Sequence, residues 1–253
     1  MTSLTLASLN SSEKREAIAI LEEMDRRKRR RKLFDVYPDT GPLRRGLYPK
    51  HMQFFAAGCE HHERAAVAAN RVGKSFGLGG FETALHLTGL YPDWWPGRRF
   101  AHPIDCWVAG DTSETTRDIP QLILMGPPGE YGTGLIPGAN LIGNPTHRSG
   151  VAQAIDTARI SHVSGGVSFL GFKSYDQGRK KFQGTAKHEI WLDEEPPEAV
   201  YSECMARLMT TNGMMICTFT PLEGLSNVVL RYMPDMAPTV TVDDAVLRAD
   251  RVA

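Results

Sequence analysis

The 253-residue sequence predicts an α/β fold with a mainly parallel central sheet flanked by helices. Three observations lead there. Short apolar runs of strand length recur at residues 64–69, 104–109, 167–172, 189–192 and 214–219. Segments of helical spacing lie between them, at 75–86 and 198–209. One junction, AAVAANRVGKSFG at residues 65–77, reads as strand, glycine-containing loop and helix.

Each element has its own reason. Residues 12–33 carry an apolar stripe of Ala17, Ile18, Ile20, Leu21 and Met24, and the basic run RRKRRRK (26–32) suits the negative end of that helix. The run equally fits a solvated helix end or a surface that touches phosphates. Residues 34–50 hold Pro38, Gly41, Pro42, Gly46 and Pro49 and read as a connector draped over the body. Phe76, Leu78, Phe81 and Leu85 give helix 75–86 its apolar face, and Val200, Tyr201, Cys204, Met205 and Leu208 do so for helix 198–209. Thr211-Asn212-Gly213 ends the latter. The Gly- and Pro-rich stretch 126–150 reads as an excursion from the sheet, with room for a small hairpin.

Composition narrows the function classes. The chain is 42% hydrophobic and 23% charged, with 29 basic and 29 acidic residues, so overall charge singles out no partner. No apolar run is long enough for a bilayer, and residues 1–16 lack the pattern of a signal peptide, so the expectation is an intracellular protein without a membrane. Four cysteines stand far apart with no C-x-x-C pair. Cys59-Glu60-His61-His62 hints at metal, but no second cluster completes a four-ligand site, and an exposed helix end is the expected reading. Cys106 and Cys217 sit in apolar runs and read as buried thiols.

The loop carries the chemistry. G-x-x-x-x-G-K-[ST] is matched at Gly73, Lys74 and Ser75, with Ala68 in place of the first glycine and Asn70, Arg71 and Val72 filling the turn. Gly73 lets the backbone approach phosphates, Lys74 reaches the β- and γ-phosphates as a point charge, and Ser75 ligates magnesium. A second stretch, HEIWLDEEPPE (188–198), runs an apolar strand into Asp193, Glu194 and Glu195. Such a strand is expected beside the loop's strand, with Asp193 holding magnesium and Glu194 deprotonating the attacking water. A strand followed by an acidic helix start is the plainer reading, and the GKS loop on the same chain weighs against it. A third, TFTPLEG (218–224), puts Thr218 and Thr220 at a strand end, where they could sense a phosphate or simply make a turn. A fourth, YPKHMQFF (48–55), offers Gln53 to an adenine edge or to solvent, with Tyr48 and Pro49 as the wall. Trp94 and Trp95 read as closing a core from a loop, or as a subunit contact.

In order and content these four stretches resemble the large terminase subunit of tailed bacteriophages, the motor that packages DNA into procapsids, and the resemblance runs over nearly the whole chain. YPKHMQFF is similar to the family's adenine-recognition segment, AANRVGKS to its deviant phosphate loop, GRKKFQGTAKHEIWLDEEP (178–196) to the approach to its acidic motif and TFTPLEG to its coupling motif. The resemblance implies a RecA-like, additional-strand (ASCE) P-loop ATPase that uses ATP and Mg2+. It implies work on double-stranded DNA, as a homo-oligomeric ring on the portal protein, five subunits there and a monomer as the alternative when free, recruited by the small terminase subunit in the host cell cytoplasm. Carried over by position, Lys74 and Ser75 bind phosphate and metal, Asp193 holds the metal, Glu194 is the base, and Thr218 and Thr220 couple hydrolysis to movement. Many members carry an arginine four residues before the loop lysine. Here that position is Asn70, and Arg71 follows it, so the arginine acting on the γ-phosphate is either Arg71 or one from a neighbouring subunit, with Arg148 and Arg179 as candidates. The expected organisation is an N-terminal helix and connector (1–50) on an ATPase domain (51–253). The acidic nuclease domain that follows in the family is not expected in this chain, and Asp243 and Asp244 read as a last strand or linker. Two other functions remain open at this stage: a helicase-like ATPase, and an assembly module that binds nucleotide without turnover.

Overall fold

The computed structural model describes residues 10–29, 32–222 and 224–236. Its centre is a seven-stranded sheet: β1 (Glu63–Val67), β2 (Asp105–Gly110), β3 (Thr146–His147), β4 (Ile155–Ser161), β5 (Val167–Ser174), β6 (Glu189–Asp193) and β7 (Met214–Phe219). The spatial order is β1-β7-β6-β2-β5-β4-β3. The first five strands in that order pair in parallel, and β4 and β3 extend the sheet as an antiparallel arm. The loop strand β1 and the acidic strand β6 are therefore not neighbours. β7 is inserted between them, which corrects the expectation of direct adjacency and is the additional-strand order of the expected fold class.

Both faces of the parallel part are buried, which is why its strands read as unbroken apolar runs. Alternate residues serve opposite cores. Cys106, Val108, Trp191 and Ile216 face one, with Phe55, Phe81 and Leu85. Trp107, Ile190, Leu192, Met215 and Cys217 face the other, with Phe182, Val200, Cys204 and Val229. Full burial of each large apolar side chain contributes roughly 1.5–3 kcal/mol. Cys106 and Cys217 are buried free thiols, and burial holds both well above the ordinary thiol range.

The helices sit close to expectation. α1 (Ser11–Arg29) is capped by Asn10, whose side chain accepts from the amides of Ser12 and Glu13. Its residues Ile18, Leu21 and Met24 are exposed rather than packed on the body. α2 (Pro49–Ala57) opens on a proline, which suits a first helical turn. α3 (Phe81–Thr88) is preceded by a wide π-type turn, Lys74–Gly80, that leads out of the loop. Within it Gly79 is required by packing, since a Cβ there would stand 2.2 Å from the Trp191 ring. α4 (Ser113–Thr116) and α5 (Leu122–Met125) are joined through a π-type segment holding Pro120, and α6 (Glu198–Leu208) and α7 (Asn227–Tyr232) cover the second core.

Connector residues 32–48 bring Leu33 and Tyr37 into the first core, where Tyr37 packs edge-on against Phe81 at 5.2 Å and Tyr48 at 5.5 Å. Trp95 lies on Phe55 at 4.6 Å and Trp94 stacks on Phe81, so this pair closes the core from its loop. Asp243 and Asp244 lie outside the described residues, as does most of the basic run 26–32 in its side-chain detail.

Candidate functional site

The phosphate loop joins β1 to the helix, as its sequence context requires. Two of its residues take left-handed backbone, Arg71 at φ 67° and Gly73 at φ 85°. Ala68 does not. Its amide still reaches toward β7, at 3.4 Å from the Phe219 carbonyl. The conformation that would demand glycine is therefore absent at position 68, and alanine is tolerated there.

Lys74 is only 7% exposed, and its ammonium spends its three protons inside the site. It donates to the carbonyls of Ala68 and Ala69 and to Thr220 Oγ1, each at 2.8 Å. Thr220 Oγ1 lies in turn 2.8 Å from Ala68 O and 2.9 Å from Asn70 Oδ1. None of the lysine's partners is a carboxylate. The loop carbonyls and the threonine hydroxyl hold it through charge-assisted hydrogen bonds and leave its charge without a counter-ion in direct contact.

At the end of β6, Asp193 is 2% exposed. Burial pushes its carboxyl up to about 6, against the opposing hydrogen bonds from Thr218 and Ser75. Thr218 pairs across to Asp193 in the β6–β7 register and donates to Asp193 Oδ1 at 2.7 Å. Its own oxygen accepts from Trp191 Nε1, also at 2.7 Å. Thr218 is thus buried behind the acid and is not a cleft surface. The inserted strand serves both neighbours, with Thr218 turned to the acid of β6 and Thr220 to the lysine of the β1 loop. Glu194 follows at φ 65°, with its amide donating to the Thr218 carbonyl at 3.0 Å. Partial burial raises its carboxyl pKa, Lys74 opposes this, and Asp111 at the end of β2 adds to it. Glu195 is half-buried, and its Oε2 has no hydrogen-bond partner.

A cavity of about 550 Å³ opens beside the loop, lined by Tyr37, Leu43, Tyr48, His51, Arg71, Val72, Gly73 and Phe76. Tyr37 OH donates to the Gly77 carbonyl at 2.9 Å and lies 2.6 Å from His51 Nδ1. Burial lowers the His51 pKa, with a hydrogen bond to the Val72 backbone opposing. Gln53 does not line this cavity. It stands exposed on α2, where the turn that carries His51 inward carries Gln53 away. Sequence reasoning missed Tyr37 and His51. The signal was present in the phase of α2, since Tyr48, His51 and Phe55 share one face.

The other candidates are accounted for by position. Arg71 lines the cavity mouth. Arg148 bonds Ser113 Oγ at 3.0 Å and the Phe172 carbonyl within this chain. Arg179 has a 59% exposed side chain and pairs with Glu203 at 2.8 Å. His62 bonds the Gly213 carbonyl and Cys59 lies near the Pro96 carbonyl. No group of three or more His, Cys, Asp or Glu side chains among the described residues is arranged to hold a metal ion. For a magnesium ion the relevant set is different: a hydroxyl (Ser75) bonded to a buried carboxylate (Asp193), with the anion's own oxygens and water completing the shell. Hard oxygen donors of this kind fit Mg2+, and a cation would neutralise the carboxylate whose burial is otherwise unfavourable. Among the described residues, no helix is long and apolar enough to cross a membrane.

Comparison with known proteins bears on the family. The family model described as terminase large subunit, T4likevirus-type, N-terminal, matches residues 66–250. The large terminase subunit of Salmonella phage P22 is 34% identical over 248 residues, covering 90% of this chain and 48% of its own length. The chain thus spans about half of that relative. Among solved structures, the large terminase of a thermophilic bacteriophage in complex with ADP superposes with a TM-score of 0.45 at 12% identity, covering 76% of this chain and 38% of that one. A mutant ATPase domain of the Thermus phage P74-26 large terminase gives 0.42 at 17% identity, over 64% of this chain and 61% of that one.

Proposed function

The chain belongs to the terminase large-subunit family, and on that premise we propose that it is the ATP-hydrolysing part of a motor that drives double-stranded DNA into viral procapsids. The observation that carries the proposal is the convergence of Lys74, Ser75, Asp193 and Glu194 at the carboxyl ends of β1 and β6, joined by Thr218 of β7 and Thr220 just beyond it.

In this reading the loop 70–75 and the start of its helix bind the phosphates of ATP, and the cavity walled by Tyr48, His51 and Phe76 takes the base. Lys74 leaves the carbonyls of Ala68 and Ala69 for the β- and γ-phosphate oxygens. Ser75 and Asp193 would hold magnesium, which when bound would neutralise phosphate charge. Glu194 orients a water and takes its proton, and partial burial makes its carboxylate the stronger base. Thr220, released by Lys74, reports the state of the loop to β7. The arginine that completes the site is Arg71 from within or Arg179 from a neighbour in a homo-oligomeric ring, five subunits on the portal protein, recruited by the small terminase subunit in the host cell cytoplasm. The domain division at residue 50 belongs to the same reading.

The test is Mg2+-dependent phosphate release by the chain assembled with portal and DNA. Wild type should turn over, and Glu194→Gln should lose on the order of 10²–10⁴-fold in kcat while still binding ATP. Equal turnover by the two proteins would remove Glu194 from its role.

A further inference from the structure

The backbone at Glu194 poses a problem of its own. A non-glycine residue in left-handed conformation costs on the order of 1–3 kcal/mol and persists only where its surroundings hold it. At φ 65°, Glu194 is such a residue. Its amide is held by β7, through the Thr218 carbonyl. Its carbonyl is held from the other side.

That second restraint is Tyr175. The residue follows directly after β5, which lies across β2 from β6. Pairing of β2 with β6 runs only to Ala109 and Leu192, so the last carbonyls of β6 lack a strand partner on that side. The Tyr175 side chain crosses the end of β2 to reach them. Its hydroxyl stands 3.0 Å from the Asp193 carbonyl, 3.1 Å from the Glu194 carbonyl and 3.5 Å from the Ala109 carbonyl. One proton is shared among them. Tyr175 is 5% exposed, and its three contacts are all carbonyl oxygens, toward which its hydroxyl is the donor.

We propose that Tyr175 is a positioning residue, whose hydroxyl fixes the Asp193–Glu194 peptide and thereby the aim of the Glu194 carboxylate. This rests on the hydrolase reading for its consequence in turnover, but not for the restraint itself. Phenylalanine has the same shape and lacks the donor, so Tyr175→Phe isolates the hydroxyl.

Two measurements test it on the same preparations. In the assembled motor, Tyr175→Phe should lower kcat for ATP by on the order of tenfold to a hundredfold, the cost of a misplaced catalytic group. KM for ATP should stay within about twofold, because the phosphate and base contacts are untouched. By hydrogen exchange, the amides of residues 194–195 should open at least about tenfold faster while those of residues 189–192 keep their wild-type rates. Wild-type kcat in the variant overturns the proposal, as does a kcat and KM that change together, or exchange that rises equally along all of β6. Should wild type itself show no turnover in any assembly, the hydrolase reading falls. Exchange then decides alone: faster opening at 194–195 upholds the restraint, and unchanged opening removes it.

Discussion

The two ends of the parallel sheet both bury charge, and they treat it in opposite ways. At the amino ends of β1 and β6 lies a network of Arg64, Glu82 and His86. Arg64 bonds both oxygens of Glu82, at 3.1 and 2.8 Å, and His86 Nε2 lies 3.2 Å from the same carboxylate. Burial alone would raise the Glu82 pKa, yet the Arg64 charge and the His86 contact outweigh it and the net shift is downward. At the carboxyl ends, Lys74 is held by carbonyls and a hydroxyl, and Asp193 by two hydroxyls, so that burial wins and the Asp193 pKa rises. Opposite charges are paired at the base and kept apart at the top. At the base Glu82 is ion-paired, while the neighbouring buried Glu189 is held by Thr83, keeps one oxygen without a hydrogen-bond partner and has its pKa raised by burial. The top keeps a cation and an anion ready for a partner of the opposite sign, which is the condition of a binding site rather than of a structural ion pair.

The largest effect that could break this contrast is at the base. Glu82→Gln leaves the Arg64 charge buried and unpaired, and should cost about 3–5 kcal/mol of stability, measured by denaturant unfolding. The turnover of the molecules that remain folded should be near wild type. At the top, Lys74→Ala should lose on the order of 10²–10³-fold in kcat, the scale of a removed electrostatic contact to the reacting group. Its unfolding midpoint should shift by much less than that of Glu82→Gln. Smaller again is Thr218→Val, which removes the link between Trp191 and Asp193. We expect about 1–3 kcal/mol of destabilisation from the buried groups left unpartnered, together with weaker Mg2+ binding in a metal titration.

A further effect is in pH. The folded value of Asp193, about 6, lies above its ordinary value of 3.8. The folded state therefore binds this proton more tightly than the unfolded chain does. Its contribution to stability is full below the ordinary value and is lost as pH rises through about 6. Glu82 runs the other way: its folded pKa lies below the ordinary 4.5, so its contribution is present above that value and is lost as pH falls through the folded one. Melting curves of Asp193→Asn and wild type should coincide near pH 4 and separate above pH 6, with the variant the more stable.

Much of the site could be read from the residues because its parts are local. The strand, loop and helix around Lys74, the acidic end of β6 and the threonines at the end of β7 and just past it each lie in one short stretch, where periodicity and residue type carry the chemistry. What escaped is what depends on distant packing. The insertion of β7 between β1 and β6 is a choice of neighbours among similar apolar strands, which no single stretch encodes. Strand β4 was missed because it pairs in the antiparallel arm and leaves Asp156 and Arg159 exposed, so its pattern lacks a long apolar run. The α4–α5 segment was missed because Pro120 interrupts it. Gln53 stands out in the sequence because its amide suits adenine, whereas the cavity beside the loop is set by the way connector 32–48 folds Tyr37 against α2. Tyr175 reads as one more aromatic residue at a strand end, and only the crossing of β2 reveals what its hydroxyl does.

The central claim is that the buried charge at the top of the sheet is kept for function at the expense of stability, while that at the base is kept for stability. Melting temperature and Mg2+-dependent ATP turnover at pH 8, measured together on Asp193→Asn and Glu82→Gln in the assembled motor, test it most directly. The account predicts that Asp193→Asn loses turnover and melts at or above the wild-type temperature, while Glu82→Gln melts far lower and keeps its turnover per folded molecule. An Asp193→Asn protein that melts well below wild type, or that retains wild-type turnover, would contradict it.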